Sequence, residues 1–407
     1  MRQAPAAERE DFTEHLINVI PALPAVGLAL IAVSLHYTGD FGVAYRNGVE
    51  AWTTGRPLRL ELWTGTPFLA LVMASITRVA PEFVAARVYM AADLSVWLFL
   101  MSKVWFRLRG HVPAPFWWLT LAACAVFAPA ISTIFWLQFN LVVFALALGG
   151  FVLVSRHDRA AGLLIGISLA LKPVLILLPV ALLLRRRSRV ASAWAIVTGA
   201  ALNVFGLGFL AWRAGDWRVL NPFAYLEGFL SNGRASITAC VVENYSPVAL
   251  LCRLGVPPST AISVLVAGGV VVAGWLLIRN LPETAEGEWE VFAAACFLST
   301  LVGPIAWNHY GLLTGPLFVL LAYRFWREGA PRSLWVGLGI AFLLTELVWD
   351  PLSSIAGASI PLLRFLYTAG QFGQYFLLLV WIRWRLLRNE PHLVGIPKTN
   401  VYPLSRL

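Results

Sequence analysis

Long apolar runs dominate the chain, and polar residues fall in short clusters between them. Runs near 16–36, 84–102, 115–131, 139–154, 191–212, 259–278, 289–306, 310–323, 333–349 and 361–382 read as membrane segments. A helix needs about 20 residues to cross a hydrocarbon core of about 30 Å, and several of these runs are shorter. Helices that short are expected to be shielded by neighbours or to end in a polar cavity.

Two further segments break the simple alternation. The first is TPFLALVMASITRVA (66–80). If it crossed, the basic cluster Lys103–Arg109 would land on the opposite side from the other basic clusters. Parity therefore predicts a helix that lies on, or dips into, the outer face. The second is AAGLLIGISLALKPVLILLPVALLL (160–184), with basic residues at both ends and Lys172-Pro173 at its midpoint. Proline disfavours α conformation in the residue before it. Two half-helices of about 11 residues each reach roughly 16 Å, half the core thickness. The pattern predicts a V-shaped re-entrant pair with Lys172 at its apex.

Outer loops Tyr37–Pro81 and Arg213–Pro258 are much longer than the other connections. Their stretches AYRNGVEAWTTGRPLRLELW and WRVLNPFAYLEGFL read as amphipathic helices lying in the interface. The fold class is thus an all-α integral membrane bundle with amphipathic outer-face helices and a broken re-entrant pair. One polytopic domain is expected over 1–390, with a cytoplasmic tail at 391–407. No tandem repeat is visible.

Composition supports this reading. Of the 407 residues, 59% are hydrophobic and 13% are charged, against about 25% charged in soluble domains. The net charge of +10 is not a nucleic-acid signal. The basic residues form clusters at Lys103–Arg109, Arg156–Arg159, Arg185–Arg189, Arg324–Arg332 and Arg383–Arg388. The positive-inside rule places these in the cytoplasm. The run 16–36 is long for a signal h-region and lacks an obvious cleavage site, so it reads as a retained first helix with a cytoplasmic N-terminus. The four cysteines show no metal-ligand spacing. Cys240 and Cys252 both fall on the outer side, where a disulfide can form.

Lys172 carries the strongest chemical signal, because an ammonium in hydrocarbon is costly and marks a functional site by default. Snorkelling, or pairing with an unseen carboxylate, is the alternative. Asp40 is the first carboxylate on the outer side; it also suits the N-cap of a helix over 41–52, and the two roles can coexist. Gln138 and Asn140, in FWLQFN, sit at an outer turn, where amides beside tryptophan suit sugar binding or loop capping. His309 lies in VGPIAWNHYG beside Trp307 and Asn308, as a ligand-orienting or a structural histidine. Glu243, Asn244 and Ser246 close the second outer loop. Arg253 follows, where it could meet a phosphate or simply a lipid headgroup. No H-E-x-x-H and no phosphate loop of the form G-x-x-x-x-G-K-[ST] occurs.

Taken in order, these motifs make the chain from about 34 to 325 resemble the polyprenol-phosphate-sugar-dependent glycosyltransferases of family 87, which have the GT-C membrane fold. GDFGVAYRNGVEAWTTGRPL, with Asp40, Tyr45 and Gly55, is similar to the family's aspartate and tyrosine after the first helix. TGTPF keeps one proline, Pro67, of a tyrosine-proline-proline start. LQFN is similar to a glycine-glutamine-x-asparagine turn, with Leu137 in the glycine's place. AAGLLIGISLALKP matches a glycine-rich helix ending in lysine-proline. NYSPVALLCRL matches an asparagine-x-serine turn followed by an arginine. VGPIAWNHY keeps Pro304, Trp307 and His309 of a further stretch, with Asn308 in place of an acidic residue.

The resemblance implies sugar transfer, of mannose or arabinose type, from a polyprenyl phosphate to a hydroxyl of a lipid or glycan acceptor. The place would be the outer face of a bacterial inner membrane. Asp40 would be the general base of a single inverting displacement. Lys172 and Arg253 would stabilise the leaving phosphate, and His309 would orient donor phosphate or sugar. Tyr45, Gln138, Asn140, Asn244, Trp307 and Asn308 would contact sugar or acceptor. No cofactor and no metal is expected, since Asp40 has no second carboxylate beside it. A transporter or flippase with a midplane lysine is the rival class, and a non-catalytic scaffold is a third.

Overall fold

A computed structural model describes residues 38–56, 65–109, 126–222, 244–257, 259–302, 308–346 and 360–389, with Gly27, Thr120, Ala122, Ala123 and Cys240. The first predicted helix (apart from Gly27), most of the stretch 217–230, Trp307 and the tail 391–407 lie outside the described residues.

Fourteen α-helices occur among the described residues. They are α1 (Gly39–Thr54), α2 (Pro67–Ile76), α3 (Glu82–Arg109), α4 (Ala128–Phe135), α5 (Asn140–Leu153), α6 (Asp158–Leu171) and α7 (Leu177–Leu183). Then follow α8 (Arg189–Ala214), α9 (Pro247–Arg253), α10 (Thr260–Ile278), α11 (Ala285–Val302), α12 (Gly315–Glu328), α13 (Arg332–Glu346) and α14 (Ile360–Asn389). Four segments are long and apolar enough to cross a membrane: Glu82–Met101, Arg186–Ala214, Ala261–Ile278 and Phe365–Arg388. The pair α4–α5, bent by 119°, makes a fifth when counted as one span. The chain is a multi-pass helical membrane protein.

Among the described residues four helices, or five with the bent pair, qualify as spans; of the ten predicted runs, 16–36 (apart from Gly27) and most of 115–131 lie outside them. Runs at 289–306 and 310–323 belong to helices whose ends carry charges that pair with each other. Arg324 is almost fully buried between Glu286 (2.7 Å) and Glu328 (3.0 Å), and Arg327 is paired with both. Arg185 binds Glu288 and the carbonyls of Leu281 and Pro282. Arg385 and Arg388 face Glu290 and Glu328. These contacts collect the basic clusters around 185, 324 and 385 at one end of the bundle, called here the basic end.

The break at Lys172 forms as the proline requires. Lys172 is extended (φ −156°, ψ 117°) between α6 and a 3-10 turn over Pro173–Leu175. Contacts along α8 define the direction of each arm. Gly162 packs on Ala191 and Trp194, Gly166 on Ala195 and Thr198, so α6 and α8 run parallel. The return arm runs the other way. The Ser192 hydroxyl donates to the carbonyl of Pro179 (2.6 Å), and that of Ser188 to Leu182 (2.9 Å). Lys172 therefore stands at the apex of a hairpin whose feet both reach the basic end. Glycines allow this approach: a Cβ at Gly166 would stand 2.8 Å from the carbonyl oxygen of Ala195.

α2 has 10 residues, about 15 Å, too short to span. Thr66 caps it, accepting from the Leu69 amide (3.0 Å) while its hydroxyl donates to the carbonyl of Ala170. Pro67 fills the first helical position, where a missing N–H costs nothing. The short helix is thereby fastened to the hairpin apex. α1 begins at Gly39, two residues earlier than expected, with Thr38 at the cap position. Asp40 is in the first turn and is not the cap.

Candidate active site

One turn organises the centre of the molecule. Residues 136–139 join α4 to α5, and Leu137 adopts φ 53° there. A side chain disfavours that left-handed conformation, and glycine accepts it freely. The Asp40 amide donates to the carbonyl of Trp136 (2.9 Å). The Lys172 ammonium donates to the side-chain oxygen of Gln138 (2.7 Å). The Tyr89 hydroxyl donates to the carbonyl of Gln138 (3.0 Å). The turn thus sets an acidic residue of α1 in register with the lysine at the hairpin apex.

Lys172 is 7% exposed. Its ammonium also lies 4.7 Å above the Tyr310 ring, a contact favoured where water is excluded. Asp40 is half-buried and lies within electrostatic range of Lys172. Among the described residues the two stop short of an ion pair, and no other carboxylate pairs with the lysine. Burial raises the Asp40 carboxyl above the usual carboxylate range, and the charge of Lys172 pulls it part of the way back.

His309 is buried in a 3-10 turn over Asn308–Thr314, its ring edge-on to Tyr310 at 4.9 Å. Its carbonyl accepts from Thr133 (3.2 Å) and Asn140 (3.3 Å). Among the described residues its Nε2 and the side-chain oxygen of Asn140 are buried without hydrogen-bond partners. Buried polar atoms are normally satisfied, so both suit a bound polar ligand. Asp40, Gln138, Asn140, Lys172 and His309 thus come together. Asn308 contributes backbone to the same turn.

Asn244 and Arg253 form a second group. Arg253 donates to Gln371 (2.8 Å) and to the carbonyl of Asn244 (2.8 Å). Gln371 donates to the carbonyls of Tyr245 (3.1 Å) and Ser246 (2.8 Å). Cys240 and Cys252 are disulfide-bonded beside this group. Tyr310 packs against Tyr245 and Tyr367, and so touches both groups. Tyr45 is buried, and its hydroxyl donates to the carbonyl of Ala80 (2.8 Å), bracing α1 against the α2–α3 connection. Among the described residues no group of three or more His, Cys, Asp or Glu gathers to hold a metal ion.

Tyr310 and Tyr89 escaped the sequence reading. Tyr310 is signalled only by its place beside His309 in NHYG. Asp93 escaped too, although a carboxylate inside the predicted run 84–102 falls under the same rule that singled out Lys172.

A helical membrane protein with an intramembrane lysine facing an acidic residue fits an enzyme or a transporter. The sequence profile of glycosyltransferase family 87 matches residues 63–304, more than half of the chain, and the protein belongs to that family. It is a membrane glycosyltransferase. Gln138, Asn140, Lys172, Asn244 and Arg253 lie within the matched range, while Asp40, Tyr45, Trp307, Asn308 and His309 lie outside it. No curated protein and no solved structure matches the chain.

Proposed function

We propose that this glycosyltransferase moves a sugar of mannose or arabinose type from a polyprenyl phosphate to a hydroxyl of a lipid or glycan acceptor. The observation that carries this reading is Lys172: a buried ammonium, held by an amide and an aromatic ring, with no carboxylate in contact among the described residues. Such a charge has no counter-ion in contact there, and a phosphate supplies one. Asp40 beside it supplies a base. The acceptor hydroxyl gives its proton to Asp40 and attacks the anomeric carbon. The bond to the phosphate oxygen breaks with inversion, and the polyprenyl phosphate leaves with its new charge facing Lys172. His309 and Asn140 offer their unpartnered atoms to donor sugar or phosphate. Gln138 holds the lysine, and Asn308 and Trp307, next to His309 in sequence, contact sugar or acceptor. Arg253 and Asn244 act from the neighbouring group through Tyr310, or receive the phosphate after rearrangement of the Gln371 contacts.

In this reading the bundle is of GT-C type, and one cavity open to lipid is lined by Asp40, Lys172 and His309. The basic end faces the cytoplasm with the N-terminus and the tail 391–407. The apex of the hairpin faces the outer side of a bacterial inner membrane. The test is transfer in vesicles from a polyprenyl-phosphate mannose or arabinose donor. Asp40→Asn should abolish transfer with expression and folding intact. Unchanged turnover of this variant removes Asp40 from the chemistry. Labelling of a cysteine at position 40 only from the cytoplasmic side overturns the topology.

A further inference from the structure

Asp93 lies inside the span Glu82–Met101, fully buried, and among the described residues neither carboxyl oxygen has a hydrogen-bond partner. Among the described residues no cation pairs with it. An ionised carboxylate is very costly in such a place, and a group without a counter-ion keeps its proton instead. A protonated carboxyl is a hydrogen-bond donor. One helical turn earlier, at the i−4 position of the same helix, stands Tyr89, whose side chain neighbours that of Asp93 on one face. That hydroxyl already donates to the carbonyl of Gln138 (3.0 Å) and still has lone pairs to accept with. Tyr89 is also wedged between Phe41, next to Asp40, and Phe139, next to Gln138, at ring distances of 5.1 and 5.0 Å.

We propose that Asp93 is a positioning residue for sugar transfer: it donates a proton-bearing hydrogen bond to the Tyr89 hydroxyl. Rotation of its side chain makes that bond. The hydroxyl, polarised by this donor, binds the Gln138 carbonyl more strongly. The bond steadies the turn at 136–138, which carries a strained Leu137 and ties Asp40 to Lys172. Asp93 touches neither substrate nor reacting atoms. The proposal rests on the catalytic reading of Asp40 and Lys172.

The experiment compares Asp93→Asn, Asp93→Leu, Tyr89→Phe and the double variant Asp93→Leu/Tyr89→Phe in lipid nanodiscs. Asparagine keeps a donor without a charge, so Asp93→Asn should stay within about threefold of wild-type kcat. Asp93→Leu and Tyr89→Phe should each lower kcat about tenfold with donor KM nearly unchanged, and the double variant should fall no further, because both cut one chain. An infrared difference spectrum between wild type and Asp93→Asn should show a protonated-carboxyl C=O stretch that shifts in D2O. Full kcat in Asp93→Leu, a multiplicative loss in the double variant, or absence of that band overturns the proposal. If Asp93→Leu fails to fold, Asp93→Asn and Tyr89→Phe with the spectrum still decide it. Turnover by Asp40→Asn in the same preparation defeats the catalytic reading separately, since the infrared band is read without turnover.

Discussion

Replacing Lys172 by methionine separates a catalytic lysine from a structural one. Methionine keeps the length of the stem and its packing at the hairpin apex. In the folded protein the ammonium gains one charged hydrogen bond to Gln138, worth about 1.5–3 kcal/mol. The contact with Tyr310 adds about 2 kcal/mol in a desolvated site. Against these stands the removal of an unpaired ammonium from water, which costs several kcal/mol. The sum is near zero, so Lys172→Met should leave the unfolding temperature within a few degrees of wild type. Its effect on transfer should be large. Removing one preorganised donor to developing charge costs about 2.7–4 kcal/mol, or roughly 10²–10³ in rate. The assay is transfer from a radiolabelled polyprenyl-phosphate sugar in nanodiscs, beside thermal unfolding of the same sample. Retention of transfer to within tenfold, or a loss of activity matched by a fall of many degrees, refutes the argument.

Other consequences can be measured on the same material. Asp40 must be ionised to act as a base, so kcat/KM should rise with pH through a value above that of an ordinary carboxylate, and Lys172→Met should move this limb higher by removing the attractive charge. The sign for stability is opposite: a carboxyl whose pKa is raised on folding stabilises at low pH, and that contribution is lost as pH rises through the folded value, which Asp40→Asn should flatten in a pH series of unfolding temperatures. Gly166→Ala should destabilise by about 1–3 kcal/mol, because its Cβ meets the carbonyl of Ala195 at 2.8 Å, and a lowered unfolding temperature in detergent checks it. Leu137→Gly relieves the left-handed strain at about 1–2 kcal/mol but empties a buried site at about 2–5 kcal/mol; the variant should unfold earlier while donor KM stays unchanged.

Much of the architecture was legible because membrane physics writes it into composition. Apolar run length, clustered arginines and a proline after an intramembrane lysine announce helices, a common end and a broken hairpin. The pairing of charges at the ends of α11 and α12 was less visible, since a run of hydropathy does not record which charges meet. At the site, Asp40, Lys172, Gln138, Asn140 and His309 stood out as polar residues in apolar surroundings, and parity set the others on one outer face with Lys172 reaching toward it. Which atoms meet was not legible. The resemblance set Arg253 beside Lys172 as a phosphate ligand, whereas in the folded chain Gln371 engages it, 118 positions away.

The sequence by itself determined that this chain is a helical membrane protein with a kink at Lys172, because transfer free energy and proline sterics act locally. Only the tertiary structure decided what surrounds that lysine. The turn at 136–138 binds the amide of Asp40, the ammonium of Lys172 and the hydroxyl of Tyr89. Those groups are remote in sequence, and no local preference encodes their meeting. Packing of α6 on α8, through glycines that admit close backbone approach, fixes the arm that carries Lys172.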